Sequence, residues 1–442
     1  MTASTQFIAD EAKKRSAIRV IGASLAGTSL EWYDHAIYGS AAALVFPKVF
    51  FPQSEPLTAT LLSMTTYAVG FLSRPLGGLV CGYFGDRFGR KNVLIMTLLL
   101  MGSATFLVGL LPTYQSVGVG AAIALSILRI LQGVALGGEW GGASLMVSEI
   151  DPAGRRRGLY GSMVQVGSPV GYLLAYGMFA LVTFLVAPDA FLNWGWRIPF
   201  LASGVLIVVG YYIRRSIAES PLFEEIERRQ QTAKAPIGEV LRLHWRSVLI
   251  AIGSRIGSDI VFYVFSVFLL VYLRLRLGMD VSTLGFAALL CASLAQLIGI
   301  PLFGYLSDGF GRRPVLIFGG VGCIIWCMVF FALLNTKMTT WIFTATFVGM
   351  FLHAAMWGPL SSYMPEMFPT RVRYTGASLG FQGASVFGGA LAPVITTWLL
   401  GLSQSSWPIQ LYVILFLLLL VFCVYLADET AHKDLKAGDR AA

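Results

Sequence analysis

Residues 82–91 read GYFGDRFGRK and residues 304–313 read GYLSDGFGRR, so a charged, glycine-rich decapeptide occurs twice in this chain. Each copy lies between two long apolar stretches, which predicts a short polar loop joining two membrane-spanning helices. A second repeat agrees with the first, since Glu149 and Glu366 are each followed by clustered arginines. The sequence therefore predicts two similar halves.

Apolar segments account for most of the chain, and each is close to the roughly 20 residues that a helix needs to cross a bilayer. Twelve such segments are found, six on each side of a polar stretch: 20–44, 57–84, 93–111, 118–147, 159–186, 196–212, 247–273, 284–306, 315–334, 341–363, 374–400 and 409–426. The predicted organisation is an N-terminal tail, a six-helix bundle, a central loop, a second six-helix bundle and a C-terminal tail, at 1–19, 20–213, 214–246, 247–427 and 428–442.

Composition points the same way, because 56% of the residues are hydrophobic and 12% are charged, with a mean hydropathy of +0.72. Soluble domains hold about 45–50% apolar and about 25% charged residues. These values exclude a disordered chain, a collagen, a coiled coil and a disulfide scaffold. The five cysteines all lie in apolar runs, so they are expected to be unpaired packing residues without a metal.

Basic residues lie mainly on one predicted face. With the N-terminus inside, the two tails and the loops on the same side hold 24 of the 32 lysines and arginines, and the opposite face holds five. Cytoplasmic loops of membrane proteins carry such an excess. Both termini are therefore predicted to be cytoplasmic, and the net charge of +9 needs no nucleic-acid partner.

Four further motifs accompany the repeated decapeptide: EWYD at 31–34, RPLGG at 74–78, GGEWGG at 137–142 and WGWRIPF at 194–200. Together they resemble the major facilitator superfamily, and within it the metabolite:proton symporter family, whose members carry shikimate, 2-oxoglutarate, citrate, or proline and betaine. The likeness extends over about 18–426. The second decapeptide departs from the pattern at Gly309, where the first has Arg87.

The resemblance implies an all-α fold of twelve transmembrane helices and transport by alternating access, with the site between the two bundles near the membrane midplane. It also implies a monomer that is driven by the proton gradient, in the cytoplasmic membrane, with no cofactor. Motifs of metalloproteases, serine hydrolases and P-loop proteins are absent from the sequence, which argues against an enzyme.

Ionisable residues inside predicted spans are costly, and each is a candidate for function. The seven are Glu31, Asp34, Arg74, Arg129, Glu139, Arg255 and Asp259. In the superfamily, the first and fourth helices line the cavity, so we expect Asp34 to meet Arg129. The hypothesis is that Asp34 carries the proton and that its protonation releases Arg129 to grip an anionic substrate. A permanent structural salt bridge is the alternative.

The remaining intramembrane charges have weaker assignments. Glu31, Glu139 and Asp259 are further candidates for proton coupling, and Glu139 lies among glycines that also serve helix packing. Arg74 and Arg255 are candidates for binding the substrate, although Arg255 and Asp259, four residues apart, can also pair within one helix.

Other polar or aromatic groups in the spans are candidates for shaping the pocket or for helix packing. They are Tyr33, Tyr38, Gln165, His353, Trp357 and Gln382. Charged residues at the predicted cytoplasmic helix ends form a candidate gate, whose contacts would break when the protein opens inward. They are Asp86, Arg90, Glu149, Arg156, Asp308, Arg312, Glu366 and Arg373.

Two substrate classes stay open: a small organic acid, and a zwitterionic osmolyte such as betaine or proline. Arg74 and Arg129 favour a carboxylate, which both classes have. Osmosensing relatives carry a long C-terminal coiled-coil extension, and none follows Asp428 here, so the organic acid is preferred.

Overall fold

The computed structural model describes residues 3–78, 80, 90–137, 156–215, 236–281, 284–369 and 372–431, and these form helices joined by short turns, with no strand among them. The principal helices are α1 (Ala3–Leu44), α2 (Pro56–Leu72), α3 (Arg90–Leu110), α4 (Gly120–Leu136), α5 (Arg157–Gln165 with Gly167–Leu185), α6 (Arg197–Arg215), α7 (Trp245–Phe265), α8 (Leu284–Phe310), α9 (Arg312–Asn335), α10 (Thr339–Glu366), α11 (Arg373–Ser385 with Ala392–Ser403) and α12 (Trp407–Leu426). Shorter helical turns lie at Phe46–Val49, Tyr114–Val117, Pro188–Ala190, Phe191–Gly195, Pro236–Leu243, Val267–Val271, Tyr272–Arg276 and Val386–Leu391.

Seven helical segments of the described chain are long and apolar enough to cross a membrane. They are Arg157–Leu185, Trp245–Arg276, Leu284–Phe310, Arg312–Asn335, Thr339–Glu366, Thr375–Ser403 and Trp407–Leu426. A bent pair, Pro188–Gly195 with Arg197–Tyr212, makes an eighth if it is one span. The predicted all-α membrane class is confirmed, whereas the number twelve stays a prediction.

Helix α12 is apolar on all sides, and the exposure of its side chains explains why. Leu411, Leu415 and Phe422 are each more than half exposed, while Val413 and Leu417 are fully buried against the protein. A helix in water would place polar side chains on its outer face. The outer face of α12 is therefore suited to contact with lipid.

Each half packs its own helices closely. In the first half α1 packs on α5, α3 on α6 and α2 on α4, and in the second half α7 packs on α12 while α10 packs on α8 and α9. The halves meet where α5 contacts α8 and α10, where α2 contacts α11, and where α1 contacts Val267–Val271. Three regions of contact thus join the halves.

The contact between α5 and α8 depends on two glycines. A Cβ atom on Gly158 would lie 2.5 Å from the carbonyl oxygen of Gly304, and one on Gly304 would lie 2.8 Å from the carbonyl oxygen of Gly158. Any larger residue would push the two backbones apart. This end of α5 is therefore in backbone contact with the second half.

Candidate functional site

A narrow cavity lies between the halves, and its lining side chains leave room for about one water molecule. It is lined by side chains of α1 and α5 from the first half and of α7, α8 and α10 from the second: Trp32, Ser168, Tyr172, Asp259, Phe262, Tyr263, Gln296 and Trp357. Aromatic rings form most of the wall, and Asp259 supplies a charge.

Trp32 is the centre of the aromatic packing. Its ring centroid lies 5.6 Å from that of Trp357, 5.5 Å from Tyr172 and 6.0 Å from Phe262, in edge-to-face arrangements. The Trp357 Nε1 donates a hydrogen bond to the Ser168 Oγ at 3.2 Å, which joins α10 to α5. Side chains of both halves therefore form one continuous wall around the cavity.

On the second-half side, Arg255 and Asp259 form the predicted i, i+4 pair, with Nε 3.2 Å from Oδ1. The guanidinium of Arg255 also donates to the Phe381 carbonyl oxygen and lies over the Phe381 ring. The Asp259 Oδ2 makes no hydrogen bond to any described residue, although it is buried. This oxygen is free to accept a hydrogen bond from a ligand in the cavity.

On the first-half side, Arg74 contacts His35. The guanidinium only donates, so the His35 Nε2 must accept, and the Nδ1–H then donates to the Glu31 carbonyl oxygen at 3.1 Å. His35 is therefore neutral in this arrangement. Arg74 also lies 4.4 Å from the Phe71 ring centroid and within electrostatic range of Asp259. Arg74 of the first half and Asp259 of the second thus influence each other electrostatically.

Asp34 belongs to a different network, inside the first half. Its Oδ2 accepts a hydrogen bond from the Thr105 Oγ1 at 2.8 Å, and Thr105 accepts one from the Gln132 Nε2 at 2.7 Å. The Gln132 Oε1 in turn accepts from the Arg129 Nη1 at 3.1 Å. The expected meeting of Asp34 and Arg129 is therefore indirect and runs through two neutral side chains.

Arg129 is enclosed by aromatic rings of its own half. Its guanidinium carbon lies 4.2 Å from the Tyr38 ring centroid, 4.9 Å from Tyr67 and 5.9 Å from Phe71. The side chain is almost fully buried and is not one of the residues that line the cavity. In this conformation Arg129 is a core cation next to the site, and Arg74 and Arg255 are the arginines nearer to the interface.

The predicted pocket residues divide into two groups. Trp357 lines the cavity, and the two ring nitrogens of His353, on the same helix, contact the Ser258 Oγ at 3.0 Å and the Gln296 Nε2 at 2.9 Å. Tyr33 and Tyr38 instead hold the first half together. Tyr33 donates to the Pro199 carbonyl oxygen at 2.6 Å, and Tyr38 donates to the Thr66 Oγ1 at 3.0 Å.

Several predicted residues lie elsewhere. The Gln165 Nε2 and the Gln382 Oε1 are buried without a hydrogen bond to a described residue, and both are outside the cavity lining. Asp86, Glu139 and Glu149 fall outside the described residues, as does the side chain of Arg90.

Asp308, at the end of α8, joins the two halves. Its carboxylate accepts the backbone N–H groups of Gly158 and Leu159, at 2.7 and 2.9 Å, and so caps the N-terminus of α5 from the other half. It also pairs with Arg312 at 2.9 Å, and Arg312 pairs with Glu366 at 3.3 Å. Three predicted gate residues, Asp308, Arg312 and Glu366, are thus brought together.

The first half contributes Arg157 to this cluster, one residue after Arg156, which was the predicted gate residue. Arg156 is exposed, whereas Arg157 is buried with its Nη1 3.6 Å from the Glu366 Oε1. The Arg157 carbonyl oxygen accepts from the Ser362 Oγ at 2.7 Å, which adds a second link between the halves. Arg373 donates to the Phe368 carbonyl oxygen at 3.1 Å, within its own turn.

Arg274 joins the halves at the opposite face, and sequence reasoning gave it no role. Its Nη1 lies 3.0 Å from the Leu44 carbonyl oxygen and 3.3 Å from that of Ala43, at the C-terminus of α1. The 27 residues of α8 separate this face from Asp308, a distance of about 40 Å at 1.5 Å per residue. A cation on a helix C-terminus thus mirrors the carboxylate on a helix N-terminus.

Sequence reasoning also missed the cavity wall and the Asp34 network. The residues concerned are Trp32, Ser168, Tyr172, Phe262, Tyr263 and Gln296, and Thr105 and Gln132. Helical spacing gave a signal for two of them, because Gln132 follows Arg129 by three residues and Tyr263 follows Asp259 by four.

Comparison with known proteins assigns the family. A family model described as sugar (and other) transporter matches residues 20–240, and one described as Major Facilitator Superfamily matches residues 254–441. The inner membrane metabolite transport protein YhjE of Escherichia coli is 38% identical over 425 residues, covering 94% of this chain and 95% of that protein.

Two further relatives and a solved structure agree. The shikimate transporter of E. coli is 40% identical, with 87% of this chain and 88% of that protein covered, and the proline/betaine transporter of E. coli is 34% identical, with 98% and 87% covered. The xylose transporter of E. coli, solved in a partially occluded inward-open conformation, superposes with a TM-score of 0.74 at 18% identity, over 95% of this chain and 99% of that one. This chain therefore belongs to the major facilitator superfamily and is a multi-pass membrane transporter.

Proposed function

We propose that this protein is a proton-coupled symporter that imports a small organic acid by alternating access. The observation that carries the proposal is the meeting of charged residues of the two halves beside the cavity: Asp259 lines it and pairs with Arg255, and Arg74 of the first half acts electrostatically on Asp259. Two buried arginines near the cavity, one from each half, suit a carboxylate substrate. The name of the related shikimate transporter supports this substrate class.

Arg74 and Arg255 are the proposed first contacts of the substrate carboxylate. Binding between them would draw the two halves together, because the two arginines belong to different halves. The aromatic wall around Trp32 and Trp357 would contact the apolar part of the substrate. One oxygen of Asp259 has no partner among the described residues. It would accept a hydrogen bond from a substrate hydroxyl, or it would bind the transported proton.

Asp34 is the proposed main proton carrier, and Glu31, Glu139 and Asp259 are secondary candidates. An ionised Asp34 is connected to Arg129 through the hydrogen-bond chain described above. Protonation removes the negative charge that holds this chain in place, so Arg129 is free to change partners and to grip the substrate. This linkage would make substrate binding depend on the proton.

The proposed topology has twelve spans with both termini in the cytoplasm, in the cytoplasmic membrane, with bundles at 20–213 and 247–427. The tails are 1–19 and 428–442, and the loop 214–246 joins the bundles. The Asp308 face is then cytoplasmic and the Arg274 face is external. We further propose a monomer that uses the proton gradient and no cofactor.

A zwitterionic osmolyte such as betaine or proline is the second candidate. The aromatic rings of Trp32, Tyr172, Phe262, Tyr263 and Trp357 around the cavity favour it, since such rings attract quaternary ammonium groups. The name of the proline/betaine transporter agrees with this reading. Both candidates use the same arginines for the carboxylate.

Uptake into proteoliposomes under an imposed inward pH gradient tests the proposal. Labelled shikimate, 2-oxoglutarate, citrate and betaine are compared with and without a protonophore. We expect an acid to accumulate and the accumulation to collapse with the protonophore. Betaine uptake alone would favour the second candidate, and accumulation that ignores the protonophore would refute proton coupling.

A further inference from the structure

Thr105 is the residue that contacts Asp34 in the hydrogen-bond chain between Asp34 and Arg129. Its Oγ1 lies 2.8 Å from the Asp34 Oδ2, 2.7 Å from the Gln132 Nε2 and 3.0 Å from the Met101 carbonyl oxygen. The side chain is fully buried on α3, between α1 and α4. One hydroxyl therefore has three polar neighbours.

The neighbouring groups determine the directions of these hydrogen bonds. A guanidinium only donates, so the amide oxygen of Gln132 must face Arg129 and its NH₂ must face Thr105. The Thr105 oxygen therefore accepts from Gln132. Its single proton then has two possible acceptors, the Asp34 carboxylate and the Met101 carbonyl oxygen.

The protonation state of Asp34 selects between these acceptors. When Asp34 is ionised, the Thr105 hydroxyl donates to it, and all dipoles from Arg129 to Asp34 run head to tail, which strengthens each bond. When Asp34 is protonated, its O–H donates to the Thr105 oxygen, and the Thr105 proton turns to Met101. Both states keep the four residues joined by hydrogen bonds, but only the ionised state polarises the chain toward Arg129.

We propose that Thr105 is a positioning residue that transmits the protonation of Asp34 through Gln132 to Arg129. The inference rests on the proposed function, in which Asp34 carries the proton. The other charged groups that act on Asp34 are Glu31 on its own helix and Arg129 on α4. The neighbouring His35 contacts Arg74 and the Glu31 carbonyl oxygen instead.

The test compares Thr105→Val, which keeps the shape and loses the hydroxyl, with Thr105→Ser, which keeps the hydroxyl. Thr65→Val is the matched control, since Thr65 also bonds back to the carbonyl four residues earlier but faces outward, away from Asp34. Proton-driven uptake and downhill exchange are measured from pH 5 to pH 9 in proteoliposomes, with whichever of labelled shikimate, 2-oxoglutarate, citrate or betaine accumulates in the wild type.

With Thr105→Val, we expect the pH profile of uptake to move toward higher pH by about one unit, because the carboxylate has lost a hydrogen-bond donor. Accumulation should fall at least about tenfold while exchange is retained, and Thr105→Ser and Thr65→Val should match the wild type. A merely structural role would lower uptake and exchange equally and leave the profile in place. That result, or an unchanged profile, would overturn the inference.

Asp34→Asn separates this inference from the proposed function. If Asp34→Asn still accumulates substrate against a gradient, the proposed proton carrier is wrong. If Asp34→Asn loses accumulation and Thr105→Val has the wild-type profile, only the role of Thr105 is wrong. Gln132→Met, which interrupts the same chain at the next residue, should shift the profile in the same direction, and it decides the question if Thr105→Val does not fold.

Discussion

The cap that Asp308 places on α5 gives a prediction about the balance of conformations. Asp308→Asn keeps one acceptor oxygen but loses the other and the negative charge, so one of the two N–H groups of Gly158 and Leu159 is left without its partner. A hydrogen bond to a charged group contributes about 1.5–3 kcal/mol. A loss of about 2 kcal/mol shifts the equilibrium toward opening at this face about 30-fold, since 1.4 kcal/mol is tenfold.

Alkylation of a buried cysteine measures that shift. Ser162 is fully buried beside Gly304 in the contact of α5 with α8, so Ser162→Cys should react only when the halves separate at this face. The reporter is placed in a background in which the five native cysteines are replaced. Asp308→Asn should raise the rate of reaction with a membrane-permeable maleimide about 30-fold, by the same free energy.

Two further variants make the test specific. Glu429→Gln is the matched control, because Glu429 also accepts N–H groups at a helix start, those of Arg312 and Arg313, but within the second half. It should leave the alkylation rate near the wild type. Arg274→Gln should lower the rate, since loss of the contact with α1 favours opening at the opposite face. A wild-type rate in Asp308→Asn, or a raised rate in Arg274→Gln, would refute the reasoning.

Three other predictions follow from the same geometry. Asp34→Asn should abolish proton-driven accumulation and spare downhill exchange, and accumulation at the wild-type level would contradict it. Arg74→Gln and Arg255→Gln should each raise the KM for uptake about 10- to 100-fold, for the loss of about 1.5–3 kcal/mol of charged hydrogen bonding. Arg197→Gln, which loses contacts to Gly109, Leu111 and the Trp196 ring within the first half, is the control and should leave KM unchanged. Burial would raise the pKa of Glu429, but four backbone N–H groups lower it, and the net pKa lies below its ordinary value of 4.5. The Glu429 carboxylate therefore stabilises the fold fully above about pH 4.5 and loses this effect as the pH falls through its lowered pKa, so the difference in Tm between the wild type and Glu429→Gln should shrink below pH 4.5.

Contacts that depend on spacing within one helix were predictable from the sequence. Arg255 and Asp259 are four residues apart and pair as expected, and Asp308 pairs with Arg312 by the same rule. The repeated decapeptide, which lies between two apolar segments, also predicts that Asp308 and Arg312 lie at helix ends, and both do. These predictions needed only the helical period and the position of the apolar segments.

Contacts between helices were not predictable in the same way. Asp34 was expected to meet Arg129, but the rotation of α3 brings Thr105 between them. That rotation cannot be predicted from the residue spacing on α1 or α4. Arg157, which the predicted gate did not include, pairs with Glu366; one residue turns a helix by about 100°, and helix starts are uncertain by more than that. The Arg274 contact depends on how the halves meet at the face opposite Asp308, which the sequence alone does not predict.

The two inter-half caps are formed at the same time in this structure, one at each of two opposite faces. Asp308 holds the N-terminus of α5, and Arg274 holds the C-terminus of α1, on opposite sides of the cavity. Opening at either face needs only one of these contacts to break, so the other stays in place and keeps its face sealed. Among the described residues, the hydrogen bonds of Asp34, Thr105 and Gln132 connect them to Arg129 and to neither cap. Protonation of Asp34 is therefore expected to change substrate binding and the shape of the first half. The two caps are expected to determine which face opens.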